Sequence, residues 1–132
     1  MSDEDIEINV EKGVVYVSIS DKLLFRSGSY TVTSKAKEIL GKVAKVVNDK
    51  PELEFMVEGH TDKRPINTPK YPSNWELSTA RANSVLKLLL ELGFPPNRLS
   101  AAGYGEFYPI SDGETKESLQ QNRRIELKLT SR

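Results

Sequence analysis

The stretch SNWELSTARANSVLKLLLELG, residues 73–93, decides the reading of this chain. With successive residues turned by about 100°, Leu77, Val85, Leu88 and Leu92 share one narrow arc. That predicts an amphipathic helix lying on a core. Asn74 is the expected N-cap, with Glu76 in the first turn, where the helix dipole favours an anion. Arg81 stands in the middle of the apolar arc. A guanidinium buried there is costly unless an opposite charge meets it, so the protein or a ligand has to supply one.

Working outward, GFPPNR ends this helix and Leu99 to Tyr104 reads as a short strand. Upstream, Gly59 to Ser73 lacks periodicity and holds Pro65, Pro69 and Pro72. Loops of that length in a compact domain are usually functional or disordered. Before it, Leu53, Phe55 and Val57 alternate with polar neighbours as a half-buried strand. Ala36, Ile39, Leu40, Val43 and Val47 form the apolar face of an earlier helix, capped by Thr33 or Ser34 and stopped by Asn48, Asp49 and Pro51. Ile6, Ile8 and Val10, then Val15, Val17 and Ile19 after the EKG turn, predict a hairpin. A helical turn near Leu119 precedes a last strand with Ile125, Leu127 and Leu129 on one face and Arg124, Glu126 and Lys128 on the other. The order ββαβαββ predicts an α+β sandwich, two main helices on one face of a mixed sheet. One domain spans residues 1–132, with 1–19 as an N-terminal hairpin or extension.

Composition limits what such a domain does. Nineteen basic residues balance nineteen acidic ones, against a nucleic-acid binder, which needs a basic surplus to neutralise phosphates. The chain has no cysteine, so thiol catalysis and cysteine-based zinc sites are absent. No apolar run reaches the length of a membrane span, and no signal segment opens the chain. The single histidine, His60, has Asp62 two positions on, but no nucleophile-elbow pattern accompanies it. Its expected role is hydrogen bonding at a strand end. No catalytic residue, metal ligand set or cofactor is expected.

Asp62 and Arg81 are the residues with more to offer. Asp62 follows the Leu53–Val57 strand and Arg81 lies in the second turn of the next helix, so both belong at one end of the domain. An acid and an arginine facing one cavity recognise a zwitterion: the carboxylate takes an ammonium, the guanidinium fork a carboxylate. Alternatively the two bond each other. The free N–H groups at the start of the 74–92 helix and the RSGS loop, Arg26 to Ser29, add backbone donors for a small anionic ligand.

The segments VEGHTD, SNWELSTARANSVLKLL, GFPPNRLSAAGYGEFYP and QQNRRIEL together resemble the OmpA/MotB C-terminal domain over roughly residues 20–130. The HTDKRPI and SNWEL spellings are most similar to MotB-type flagellar stator subunits. The resemblance implies an OmpA-like β/α/β/α/β fold and non-covalent binding of peptidoglycan through the diaminopimelate of its stem peptide. It implies that Asp62 of the HTD motif holds the ammonium and Arg81 the carboxylate. Thr61, Asn74, Ser27, Gly28 and Arg124 complete the implied site. It also implies a periplasmic domain, a homodimer as in stator relatives, and an anchor to a bacterial membrane. Stator subunits carry an N-terminal transmembrane helix with an ion-binding aspartate; these 132 residues hold neither, so the anchor is expected on a segment outside them. The alternative is a cell-envelope protein-interaction module with the same fold and no peptidoglycan binding.

Overall fold

A computed structural model describes residues 6–26, 29–50 and 52–131. Strands β1 (Ile6–Glu11) and β2 (Val14–Ser20) form the expected hairpin. Its turn puts Lys12 and Gly13 at φ of 51° and 80°, the left-handed pair that a two-residue hairpin loop matching strand twist requires. A four-residue helix, α1 (Asp21–Leu24), follows at once; nothing in the periodicity announced it. Helix α2 (Ser34–Asn48) starts on Thr33, whose hydroxyl accepts from the Ala36 N–H at 3.1 Å. Strand β3 (Leu53–His60) runs three residues past the predicted end. Helix α3 (Asn74–Glu91), a 3-10 turn (Pro96–Arg98), β4 (Leu99–Gly103), α4 (Lys116–Asn122) and β5 (Arg124–Ser131) complete the chain.

The sheet has the order β1-β2-β5-β3-β4. Only β3 and β4 run parallel, joined through α3; the other pairs are antiparallel. Val17, Ile19, Phe55, Val57, Ile125, Leu127 and Leu129 supply the apolar face of the sheet. They form one cluster with Ala36, Ile39, Leu40 and Ala44 of α2 and Ala82, Val85, Leu88 and Leu89 of α3. Each large side chain fully removed from water contributes about 1.5–3 kcal/mol. Leu92 departs from expectation: at the C-cap it is 37% exposed, because the helix ends before its arc reaches the core.

Two glycines set where α3 lies. Gly59 and Gly103 are register partners on β3 and β4. A Cβ on Gly59 would stand 2.1 Å from the Ser78 carbonyl oxygen, and one on Gly103 2.1 Å from the Thr79 hydroxyl. The missing side chains let α3 sit directly on the sheet at that height. This brings the early turns of α3, with Arg81, beside the segment that leaves β3 with Asp62.

Candidate functional site

Arg81 is buried, as its place in the arc demands, and its counter-charge comes from α1. Arg81 Nη1 donates to Asp21 Oδ2 at 2.8 Å and Nε to the Ser29 carbonyl at 2.9 Å. The guanidinium also lies 5.0 Å from the Phe25 ring centroid. No hydrogen bond from Nη2 is found among the described residues.

Asp62 has partners of its own. Its Oδ1 accepts the Arg64 N–H at 2.8 Å, and its Oδ2 accepts Arg64 Nη2 at 2.7 Å and a short bond from Arg123 Nη1. Burial by itself pushes the Asp62 carboxyl up. The Arg64 side chain and backbone N–H, with Arg123, outweigh it and hold the carboxyl below its ordinary value of 3.8. Arg123 Nε lies 3.6 Å from Asp21 Oδ2, so Arg64, Asp62, Arg123, Asp21 and Arg81 form one alternating chain of charge. The direct Asp62–Arg81 bond considered from sequence is not formed, nor is either group left waiting in water. Each is closed by a neighbour outside the implied site, Asp62 by Arg64 and Arg123 and Arg81 by Asp21.

All five residues line one cavity of about 760 Å³ with Lys22, Phe25, Thr61, Pro65, Ile66, Asn74, Leu77 and Gln120. That size suits a small-molecule site. Four basic side chains (Lys22, Arg64, Arg81, Arg123) face two acidic ones (Asp21, Asp62). The surplus favours an anionic ligand, or a zwitterion presented carboxylate-first.

Asn74 lines the cavity but is not the N-cap. Ser73 has that position, its hydroxyl accepting from the Trp75 N–H at 3.2 Å. This frees the Asn74 amide to donate to the carbonyls of Arg64 at 3.1 Å and Asp62 at 3.4 Å, and to Glu106 Oε1 at 3.3 Å. The long loop is therefore tied at its start, and Tyr71 is buried near its end. Thr61 is buried beside Asp62, its hydroxyl donating to the Asp62 carbonyl at 3.0 Å. Ser27 and Gly28 lie outside the described residues.

Arg124 has to be corrected. Expected on the solvent side of β5 and carried into the implied site, it is buried on the opposite face of the sheet from Arg81. It bonds Glu126 Oε2 at 3.0 Å and the Tyr108 carbonyl at 2.9 Å. Burial pushes its guanidinium down, against the pull of Glu126. Its neighbour Arg123 faces the cavity instead. Asp21 was the other omission. Its only sequence signal is position: Ser20 pairs with Arg124 in register and the Asp21 N–H bonds the Arg123 carbonyl at 3.0 Å, a pairing invisible before the strand order is known.

His60 points to the same back face as Arg124. Its Nε2 lies 3.3 Å from Glu58 Oε1 and 3.5 Å from Glu126 Oε2, and Glu58 and Glu126 are direct cross-strand partners. Potential ligand atoms of Glu58, His60 and Glu126 thus fall within 4.8 Å of one another, a grouping the spacing around His60 did not reveal. The Arg124 guanidinium already neutralises Glu126 there, and among the described residues no acceptor meets buried His60 Nδ1, where metal-bound histidines use one.

Sheet order, helix placement and this ionic cavity define an OmpA-like α+β domain with a charge-lined pocket at one end of the sheet. The chain belongs to the OmpA family, which it matches over residues 24–123. It is 40% identical over 118 residues to the uncharacterized protein YtxE of Bacillus subtilis (strain 168), covering 89% of this chain and 48% of YtxE. With Motility protein B of the same strain it shares 29% identity over 131 residues, 98% of this chain and 50% of the relative. The chain thus spans about half the length of these relatives. Among solved structures, the periplasmic domain of Helicobacter pylori MotB superposes with a TM-score of 0.88 at 25% identity, over 96% of this chain and 82% of that one. The cell wall anchor of the T6SS from Pseudomonas aeruginosa gives 0.89 at 30% identity, over 98% and 90%. No helix among the described residues is long and apolar enough to cross a membrane.

Proposed function

We propose that this domain binds peptidoglycan non-covalently through the diaminopimelate of its stem peptide, and so anchors the protein that carries it to the cell wall. The observation that carries this reading is that Asp62 and Arg81 line one cavity. Diaminopimelate offers an ammonium and a carboxylate on a single carbon. The Asp62 carboxylate takes the ammonium, and the Arg81 guanidinium, whose Nε and Nη1 are held by Ser29 and Asp21, takes the carboxylate through Nη2. Arg123, Asn74 and Thr61 line the pocket around them, with Arg123 in the place first given to Arg124. Binding exchanges one set of ion pairs for another: the Arg64 side chain, 60% exposed, leaves Asp62 as the ligand's ammonium arrives.

The relatives support the setting. One solved relative is a cell wall anchor and another a MotB periplasmic domain, which favours a periplasmic domain of a membrane-anchored, MotB-like protein. One observation favours the second reading, a protein-interaction module: every charge of the Asp62 and Arg81 network already has a counter-charge within the chain. Co-sedimentation with purified sacculi separates the two. The peptidoglycan reading expects the domain to pellet with sacculi and to be released by free diaminopimelate. A domain that stays in the supernatant is the interaction module.

A further inference from the structure

Trp75 and Phe107 stack at 5.1 Å between ring centroids, with 27° between their planes. Neither ring belongs to the core: Trp75 is 50% exposed and Phe107 60%. Two large adjacent aromatic rings left half in water form an apolar surface of the kind that marks a binding site.

The pair is held in place rather than loosely laid on the surface. Gly105, at φ 64°, turns the chain between them; a Cβ there would meet both rings at 3.4 Å. The Gly105 N–H donates to Ser78 Oγ at 3.0 Å, and Ser78 is fully buried in α3. The stack is also continuous with the cavity wall. The Gly105 carbonyl accepts the Thr61 N–H at 2.9 Å, and Glu106 accepts from Asn74, the residue before Trp75. Both Thr61 and Asn74 line the cavity.

We infer that Trp75 and Phe107 form a stacking platform for the sugar rings of the wall's glycan strand, beside the cavity that takes the stem peptide. The inference rests on the peptidoglycan reading above and extends it to a second component of the same polymer. A pyranose ring presents a face of C–H bonds, polarised positive, to the negative face of an aromatic ring. Its rim of hydroxyls stays in water or meets polar groups such as the Glu106 carboxylate. The stem peptide hangs from that glycan. A few residues at about 3.5 Å each separate the diaminopimelate from the sugars, and the platform begins one residue from the cavity lining. A flat apolar stack next to an ionic pocket fits such a branched ligand, apolar sugar face on one arm and charged peptide end on the other.

Trp75 is the chain's only tryptophan, so its emission reads the platform directly. Glycan strands stripped of their stem peptides are titrated into the protein, and binding to intact sacculi and to a free diaminopimelate-containing stem peptide is measured in parallel. The platform predicts a saturable shift of Trp75 emission with stripped glycan. It predicts sacculus binding weakened about tenfold in Trp75→Ala and in Phe107→Ala, with stem-peptide affinity unchanged and Trp75→Tyr close to wild type. Unchanged emission, or alanine variants that bind sacculi like wild type, overturns the platform while stem-peptide binding stands. Equal loss of sacculus and stem-peptide binding in the variants overturns it too, since the rings would then only support the cavity. Emission that changes with protein concentration alone assigns the stack to self-association and overturns it. A wild-type protein that binds neither stem peptide nor sacculi removes the peptidoglycan reading itself.

Discussion

Arg81 Nη1 sits 2.8 Å from Asp21 Oδ2, an ion pair closing across sixty residues of chain, with both side chains buried. It answers why an apolar helix face carries a permanent charge: the counter-charge is internal and comes from the short helix after β2. Removing one partner of such a pair costs about 3–5 kcal/mol, because the other is left buried and unpaired. Arg81→Ala is therefore expected to lose stability near the lower end of that range, since Arg123 lies 3.6 Å from Asp21 and compensates in part. Arg81→Lys keeps the charge, loses the fork geometry, and falls between variant and wild type. Denaturant unfolding of the three proteins measures this; an Arg81→Ala protein as stable as wild type would mean the pair contributes nothing.

Asp62 makes stability depend on pH. Its folded carboxyl titrates below 3.8 because the hydrogen bonds from Arg64 and Arg123 outweigh burial. Just below its unfolded value the unfolded chain binds more protons than the folded one, so stability rises with pH there. The contribution is complete above about pH 5 and is lost as pH falls through 3.8 toward the folded value. Asp62→Asn lacks it. The stability gap between wild type and Asp62→Asn should be flat near neutrality and narrow below about pH 4, as urea melts across that range would record. A gap that widens on acidification contradicts the assignment.

Arg64 holds Asp62 where a ligand's ammonium would bind. Its side chain is 60% exposed, so its removal leaves the core untouched. Arg64→Ala is expected to bind sacculi severalfold more tightly, because the ammonium no longer competes with a tethered guanidinium. Weaker binding would make Arg64 a ligand contact instead of a competitor. Co-sedimentation at fixed ionic strength decides between them, since exposed pairs are strongly screened by salt.

Gly59→Ala places a methyl 2.1 Å from the Ser78 carbonyl oxygen, a backbone atom that cannot swing aside. Helix α3 must lift from the sheet, at a cost of about 1–3 kcal/mol typical of overpacking. The lift also carries Arg81 away from the cavity. Thermal unfolding should show the loss of stability and sacculus binding should fall with it; a neutral Gly59→Ala would mean that α3 does not rest on this contact.

Elements with a strong period were legible in the sequence. The alternation of Ile125, Leu127 and Leu129 and the Arg81-bearing arc of α3 gave strand, helix and buried face, because burial of one face is what periodicity records. Capping chemistry was legible to within one residue, Ser73 standing where Asn74 was expected. Four-residue α1 fell below any periodic signal, and with it went Asp21. The choice of Arg124 failed for a different reason. The alternation of β5 already turned Arg124 away from Ile125 and the helix face, yet the family resemblance carried it into the site; Arg123, the cap of α4 just before β5, meets Asp62 instead. Pairing across distant strands is a long-range property, and the counter-charges of this cavity depend on it.

Whether this cavity takes the diaminopimelate end of peptidoglycan is read from amide chemical-shift mapping. Free diaminopimelate is titrated into labelled wild-type protein and the perturbed backbone amides are located. Shifts concentrated at Asp21, Thr61, Asp62, Arg64, Arg81 and Arg123, saturating with ligand, are the expected result. No perturbation at millimolar ligand, or perturbation confined to the back face around Arg124 and Glu126, would contradict it.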